Sequence, residues 1–397
     1  MVYNIKTIGN NIDPLGLQAF GEGFVIDAVK EDEADAFVCR AQNFHDYQFG
    51  KNLLAIGRAG AGFNNIPVER CASEGIVVFN APGGNANAVK EQVLCMMIFG
   101  SRNLKPANKW LTSQKGTDRE IDLAVEKGKK AFAGSEIRGK TLGIIGLGNI
   151  GSRVANDAAN LGMRVLGYDP YISVERAWDI SHDVKRVTNL DDIFEEADYI
   201  TIHTPLTEET KEMYGYENFS KMKKGVILMN FARDEITDKS AVLDYIANGT
   251  IQFFATDFGS EQFYHQEHIF VSPHLGGSTQ EASLNCTRMA ARSIQAYLQT
   301  GEIINSVNFP NVRQELKVPY RITLINKNVP NVVAQISVAV SDKNINISNI
   351  INRSKGDFAY TLIDLDEQNE SKIQALVEHF ENSENIVRVR VIKKWSL

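Results

Sequence analysis

Three observations in the 397-residue sequence predict an α/β fold of parallel sheets that ends in a smaller βαββαβ unit. The first is the stretch KTLGIIGLGNIGSRVANDAANLGMRVLGYD, Lys140 to Asp169. In it an apolar run, a glycine turn, a helical segment, a second apolar run and an acid follow one another. The second is the alternation of short apolar runs with amphipathic or acidic stretches as far as Thr300, the rhythm of strands joined by helices. The third is a change of character after Pro310, where the order becomes strand, helix, strand, strand, helix, strand.

In the first stretch Thr141 to Ile145 is short and apolar enough for a buried strand, and Gly146, Gly148 and Gly151 follow at the spacing G-x-G-x-x-G. A helical segment carries Ala155, Ala158, Ala159 and Leu161, Gly162 turns the chain, and Met163 to Gly167 reads as a second strand. Asp169 stands about 20 residues after the glycines, where a dinucleotide-binding βαβ unit places an acid. Gly146 permits the tight turn, Gly148 lets the backbone approach a pyrophosphate, and Gly151 lets the helix pack closely on the strand. The helix N-terminus offers unpaired N–H groups and partial positive charge to the phosphates. Asp169 can accept both ribose hydroxyls, and its charge repels a 2′-phosphate. A lone glycine pattern is weak, but here strand, helix, second strand and acid all fall where the ligand needs them. The stretch reads as an NAD site, with NAD favoured over NADP.

Composition excludes some partners. Forty-two Lys and Arg against 49 Asp and Glu give a net charge of −7, which argues against nucleic acid or an anionic membrane as the main partner. Cys39, Cys71, Cys95 and Cys286 lie far apart without a C-x-x-C pair, which fits reduced thiols in a cytoplasmic protein and no metal site. MVYNIKTIGNN lacks the basic start and apolar core of a secretory signal, and Val93 to Phe99 is far too short to span a bilayer.

In chain order, strands are expected at Ile5–Ile8, Ala36–Cys39, Leu53–Ile56 and Ile76–Phe79. Arg40 and Arg58 each follow a strand, and Asn80-Ala81-Pro82-Gly83-Gly84-Asn85 follows another. The carboxyl ends of strands line the ligand crevice in open α/β sheets, so two arginines there favour an anionic substrate. Asn87–Ser101 reads as a helix, and a lysine-rich polar stretch runs on to Arg138. Beyond Asp169, strands are expected at Tyr199–His203, Val226–Met229, Ile251–Ala255 and Ile269–Val271, with helices Leu190–Ala197, Tyr216–Lys223, Ser240–Asn248 and Thr279–Thr300. The last unit is expected to run through strands Val318–Asn326, Asn346–Asn352, Ala359–Asp364 and Ile386–Val391 with helices Val332–Lys343 and Ser371–Glu381. The expected division is a substrate domain of residues 1–90 and 283–308, a cofactor domain of 91–282, a linker of 309–317 and a last domain of 318–397.

Oxidising a hydroxy acid requires a base, a group that holds the base, and a cation for the carboxylate. Three loops after strands offer candidates: Asn230-Phe231-Ala232-Arg233, Thr256-Asp257-Phe258-Gly259-Ser260-Glu261, and Ser272-Pro273-His274-Leu275-Gly276-Gly277. A Glu accepting a hydrogen bond from an imidazole favours the charged ring and fixes its orientation. The other histidines compete with His274 on spacing alone. His265 and His268 flank Glu261 but lack a ligand partner, and His203, in His203-Thr204-Pro205, ends a strand and can border the cofactor.

GLGNIG together with Arg233, Glu261 and His274, and the segments RAGAGFNNI, NAPGGNANAVKE, NFARDEITD and SPHLGGSTQEA, resemble the D-isomer-specific 2-hydroxyacid dehydrogenases along essentially the whole chain. The resemblance implies a Rossmann-type cofactor domain inserted in a flavodoxin-like substrate domain, with a ferredoxin-like, ACT-like domain behind it. It implies that His274 is the general acid/base, that Glu261 orients and charges it, and that Arg233 binds the substrate carboxylate. Gly146, Gly148, Asn149, Ile150, Gly151 and Asp169 would hold NAD, together with His203, Thr204, Pro205, Phe231, Ala232, Arg233, Asp257, His274, Gly276 and Gly277. Arg40, Arg58, Gly60, Ala61 and Asn85 match positions near the phosphate of a phosphorylated 2-hydroxy acid, and Asn328 and Asn346 match amides that hold L-serine. The chain departs from the pattern twice. Asp257 to Gln262 is one residue shorter than the usual D-V-F-x-x-E-P and lacks its proline, and Asn326-Lys327-Asn328-Val329-Pro330-Asn331 lacks the histidine of serine-inhibited relatives. Assembly into a homo-oligomer, a dimer or tetramer, is the alternative use of that last domain. Other 2-hydroxy acids (hydroxypyruvate, glyoxylate or 2-oxoglutarate in the reductive direction) and an NAD-sensing corepressor are the alternative functions; the ACT-like domain and the want of a disordered tail count against the corepressor.

Overall fold

The computed structural model describes residues 2–394. Contacts divide the chain into two compact units, Met1–Gly84 with Ser283–Leu397, and Asn85–Ala282.

The first unit opens with a five-stranded parallel sheet of β1 (Tyr3–Ile8), β2 (Phe24–Ile26), β3 (Ala36–Cys39), β4 (Ala55–Arg58) and β5 (Val77–Phe79) in the order β2-β1-β3-β4-β5. This is the flavodoxin-like order, with its switch point between β1 and β3. β3 reads as an unbroken buried run because helices cover both faces of a parallel sheet. The helix Gln280–Thr300 contributes Ala291, Ile294, Tyr297 and Leu298 to the core over this sheet. Gly57 in β4 leaves room for Ile294, whose Cδ1 would lie 2.6 Å from a Cβ there.

The second unit is a seven-stranded, wholly parallel sheet: β6 (Thr141–Ile145), β7 (Arg164–Tyr168), β8 (Val184–Arg186), β9 (Tyr199–Ile202), β10 (Val226–Asn230), β11 (Ile251–Thr256) and β12 (Ile269–Val271). Its order, β12-β11-β10-β9-β6-β7-β8, is the doubly wound Rossmann order extended by one strand, with the switch point between β6 and β9. Two cores cover its faces, one holding Phe194, Tyr214, Phe219 and Phe254, the other Val93, Met97, Val154 and Ala158. Helices Leu104–Ser113 and Asp118–Gly128 occupy the polar stretch before β6; neither buries a residue, and Trp110 of the first meets Phe132, in the turn after the second, with ring centroids 5.3 Å apart.

β13 (Tyr320–Lys327), β14 (Ile347–Lys355), β15 (Phe358–Leu365) and β16 (Ile386–Lys393) close the first unit as an antiparallel sheet in the order β14-β15-β13-β16, the ferredoxin-like arrangement. Helices Val332–Asp342 and Glu370–Glu381 cover one face through Ile336, Val340, Leu376 and Phe380. The other face is not left to solvent. Ile325, Tyr360 and Leu362 join Phe79, Tyr297, Ile303 and Phe309 in one core with the five-stranded sheet. Arg388 donates to the carbonyls of Leu53 and Glu74, and Arg390 to those of Tyr297 and Leu298. Arg390 also lies over the Tyr297 ring, 4.4 Å from its centroid.

Candidate active site

At the switch point of the second unit, the three glycines of the fingerprint meet three different surroundings. Gly146 has φ +90°, and its N–H donates to Tyr168 O at 2.8 Å. A Cβ there would lie 2.9 Å from the backbone of His203. A Cβ on Gly151 would lie 1.9 Å from Gly146 O, so the helix Gly151–Asn160 approaches the strand by having no side chain at its first residue. A Cβ on Gly148 would meet nothing within 4 Å. Two positions are therefore closed by the fold itself, and the third leaves open space at a helix N-terminus, as a pyrophosphate requires.

Asp169 sits just past the end of β7. Its carboxylate accepts the N–H of Leu147 and the N–H of Tyr171, each at 2.9 Å, which ties the acid to the glycine loop. Asn149 Oδ1 accepts from Arg176 Nη2 at 2.6 Å. At the end of β9, His203 Nε2 pairs with Thr201 Oγ1 at 3.0 Å, while its enclosed Nδ1 has no hydrogen-bond partner among the described residues. Burial pushes the His203 pKa down to about 3, so the ring is neutral. Open space at Gly148 at the helix N-terminus and the acid at the end of β7 together fit a bound dinucleotide.

The three loops expected to carry the chemistry follow β10, β11 and β12. In the first, Asn230 accepts the N–H of Ala232 at 3.0 Å and donates to Arg233 O at 2.8 Å, shaping the turn that displays Phe231, Ala232 and Arg233. Arg233 Nη1 folds back onto Ala232 O at 2.6 Å. In the other two, Asp257 is the buried hub. Its carboxylate accepts from Ser272 Oγ and, at 2.7 Å, from Gly276 N. The closeness of this packing shows at Gly276, where a Cβ would lie 2.6 Å from Asp257 Oδ2 and 3.8 Å from Phe231. Phe231, Asp257 and Gly276 are thus brought together, and Gly277 lies against Asn85.

His274 holds a left-handed backbone, φ +54°, in which a non-glycine residue is strained. Its N–H is shared between Asp257 O at 3.1 Å and Ser272 O at 2.9 Å, and its ring meets Phe258 edge-on at 5.4 Å. Glu261 opens a short 3-10 turn, Glu261–Phe263, and is exposed. Among the described residues no hydrogen bond or ion pair joins Glu261 to His274. Asp257 holds the His274 backbone through its own carbonyl oxygen, while its carboxylate fixes the loop through Ser272 Oγ and Gly276 N. Thr204 and Pro205 continue from His203 along the same edge, and Ile150 precedes the helix at Gly151. His265 and His268 are exposed, and no group of three His, Cys, Asp or Glu among the described residues is placed to hold a metal.

In the first unit, Arg40 and Arg58 stand at the ends of neighbouring strands, where Cys39 pairs with Arg58 in register. Arg40 Nη1 donates to Ser283 Oγ at 2.8 Å and to Asn11 O at 3.3 Å. The guanidinium of Arg58 lies over Gly60, where a Cβ would collide with Nη1 at 2.1 Å. Gly60 O accepts from Ala81 N at 2.9 Å, and Ala61 O from Asn80 Nδ2 at 2.6 Å. Burial raises the Cys286 pKa, and both Arg40 and Arg58 pull against that rise, so the two guanidinium groups act on one buried thiol. The Asn328 side chain donates to Gly356 O at 3.1 Å, and the Asn346 backbone carbonyl accepts from Asp366 N; among the described residues no hydrogen bond joins Asn328 to Asn346. Sequence reading gave no role to Asn230, Ser272 or Asn65; the signal for the first two was an amide or hydroxyl at a strand end, where such groups cap the backbone, and for Asn65 an amide in the loop after β4.

A doubly wound sheet with a dinucleotide cradle and three loops carrying Arg, Glu and His defines a nicotinamide-cofactor oxidoreductase fold. The model of the NAD-binding domain of D-isomer specific 2-hydroxyacid dehydrogenases matches residues 94–276. D-3-phosphoglycerate dehydrogenase 2 of Saccharomyces cerevisiae is 30% identical over 372 residues, 87% of this chain and 75% of that one. The chain belongs to the D-isomer-specific 2-hydroxyacid dehydrogenase family, and NAD is the cofactor of its second unit. D-3-phosphoglycerate dehydrogenase of Archaeoglobus fulgidus is 35% identical over 309 residues, 74% of this chain. The chain spans 55% of the length of that relative. A solved structure of NAD+-bound 3-phosphoglycerate dehydrogenase from Entamoeba histolytica superposes with a TM-score of 0.59 at 28% identity, over 78% of this chain and 99% of that one. Among the described residues no helix is long and apolar enough to cross a membrane.

Proposed function

We propose that the chain oxidises D-3-phosphoglycerate to 3-phosphohydroxypyruvate with NAD, the first step of L-serine biosynthesis, in the cytoplasm. The observation that carries this reading is the pair of arginines at adjacent strand ends, Arg40 and Arg58. A 2-hydroxy acid without a phosphate needs one cation for its carboxylate; a phosphorylated one needs more. The names of the relatives support the same substrate.

Bound NAD supplies the hydride acceptor. Arg233 takes the substrate carboxylate and Arg40 with Arg58 the phosphate. The imidazole of His274 accepts the proton of the C2 hydroxyl as the C2–H bond is lost, and the carboxylate of Glu261 steadies the ring in its charged form. The pinned backbone and edge-on Phe258 limit the positions the ring of His274 can take, which favours one orientation for proton transfer. The reading adds, beside the substrate and NAD domains, an ACT-like last domain serving assembly of a homo-oligomer or L-serine binding at Asn328 and Asn346.

The test is NADH formation by the purified chain from D-3-phosphoglycerate, with and without L-serine, beside His274→Asn. Turnover of the phosphorylated acid that His274→Asn abolishes, while NAD still binds, is expected. Turnover of unphosphorylated acids alone would overturn the substrate; full activity in His274→Asn would overturn the mechanism.

A further inference from the structure

We propose that Asn65 is the residue that positions the phosphate-binding arginines; this rests on the reading of Arg40 and Arg58 given above. Asn65 lies in the loop after β4, seven positions beyond Arg58. Its side-chain amide reaches two loops at once. Oδ1 accepts from Arg58 Nε at 3.2 Å. Nδ2 donates to Gln42 O at 2.6 Å and to Arg40 O at 3.4 Å, in the loop after β3. A primary amide has two N–H donors and one carbonyl acceptor, and all three functions are engaged across these loops.

The consequence for Arg58 is geometric. A guanidinium is planar, so holding Nε fixes the plane and the direction in which the Nη groups point. Gly60 supplies the space in which that plane lies. Arg40 is fixed from both ends. Its carbonyl is held by Asn65 and its Nη1 by Ser283. Because Asn65 joins the two loops, it sets the separation of the arginines as well as the orientation of one of them. A tetrahedral dianion must meet both cations together, so a side chain that fixes their spacing acts on the phosphate and has little to do with the hydride-transfer centre. The neighbouring Asn64 is exposed, and among the described residues only its backbone carbonyl is engaged, by His45.

The experiment compares reduction of 3-phosphohydroxypyruvate and of hydroxypyruvate by NADH in the full-length chain, for wild type, Asn65→Ala, Asn65→Asp, Asn64→Ala and Arg58→Ala. Asn65→Ala is expected to raise KM for the phosphorylated acid roughly tenfold, the effect of losing a hydrogen bond to a charged group, with kcat changed far less. Hydroxypyruvate kinetics should shift little, and inhibition by inorganic phosphate should weaken in parallel. Asn65→Asp keeps an acceptor for Arg58 but sets a negative charge against it, so KM for the phosphorylated acid should rise again, in a protein whose loop retains that bond. Asn64→Ala should resemble wild type. An equal loss of kcat/KM on both acids, or a loss in kcat alone, would reduce Asn65 to a loop stabiliser and overturn the proposal. Were Arg58→Ala itself to treat the two acids alike, the phosphate reading would fall and the role of Asn65 with it. Were Arg58→Ala selective and Asn65→Ala not, only the positioning role would fall.

Discussion

Gly151 and Gly146 approach so closely that a Cβ on the first would lie 1.9 Å from the carbonyl oxygen of the second, while a Cβ on Gly148, between them, would meet nothing within 4 Å. The same substitution at the two positions should therefore fail in opposite ways. Gly151→Ala must push the backbone of the glycine loop away from its helix, at a cost of about 2 kcal/mol or more, and should lower the melting temperature. Gly148→Ala meets no protein atom, so the fold should melt within a few degrees of wild type. Its methyl enters the space at the helix N-terminus, and NAD affinity should drop roughly tenfold or more, the equivalent of about 1.4 kcal/mol. Calorimetric titration with NAD and thermal melts of both variants decide the matter; a Gly148→Ala protein that binds NAD as tightly as wild type would show that the open space has another use.

The parts of the architecture that sequence made visible are those where a repeating apolar pattern meets turn chemistry. β6, the three glycines, the helix Gly151–Asn160 and β7 lie within a residue or two of where their pattern predicts, because a strand buried on both faces and a glycine that must be a glycine leave a signature in composition. β2 and β8 did not stand out. Each has three residues at or near a sheet edge, β8 reads Val184-Lys185-Arg186, and backbone pairing alone fixes it. Helices Leu104–Ser113 and Asp118–Gly128 lie in a stretch whose polar, lysine-rich composition reads as a connector; each is amphipathic, yet neither buries a residue. At the site, sequence placed the Arg, Glu and His loops but could not show that Asp257 organises two of them. A contact spanning 15 or 19 residues, as from Asp257 to Ser272 and Gly276, depends on how strands are ordered in the sheet, and single-sequence patterning does not encode that order.

The join between the ferredoxin-like sheet and the flavodoxin-like sheet turns on a buried ion pair. Arg321 and Asp364 face each other across β13 and β15, both almost wholly buried, with Nε to Oδ1 at 2.6 Å and Nη2 to Oδ2 at 2.9 Å. The remaining N–H groups of Arg321 reach the carbonyls of Thr300, Gln314 and Glu315, which end the long helix and form the connection. Removing the acid would leave a guanidinium in the interior without its counter-charge, so Asp364→Ala should lose about 3–5 kcal/mol in urea unfolding. Arg321→Lys keeps the charge, but one ammonium cannot serve a two-pronged carboxylate and three carbonyls, and about 2 kcal/mol should still be lost. A lysine variant as stable as wild type would mean that charge alone, and not the fork of donors, makes the join.

His203 carries a pH dependence whose sign follows from its burial. Its Nδ1 has no partner among the described residues and its Nε2 is bound to Thr201, so a proton added to the ring finds neither water nor an acceptor. Burial lowers its pKa from 6.5 to about 3. As pH falls, the unfolded chain binds this proton before the folded one does. The stability contributed by the neutral ring is thus complete above about pH 6.5 and declines as pH drops toward 3, by at most about 1.4 kcal/mol per pH unit. Urea midpoints measured between about pH 5 and 7 should fall more steeply toward acid for wild type than for His203→Asn, whose amide does not titrate. The absolute stability of the variant is immaterial, since only the slopes are compared and the other histidines are common to both proteins. Parallel profiles would mean that His203 takes up its proton in the folded state as readily as in the unfolded chain. Its nitrogen would then be open to solvent instead of enclosed.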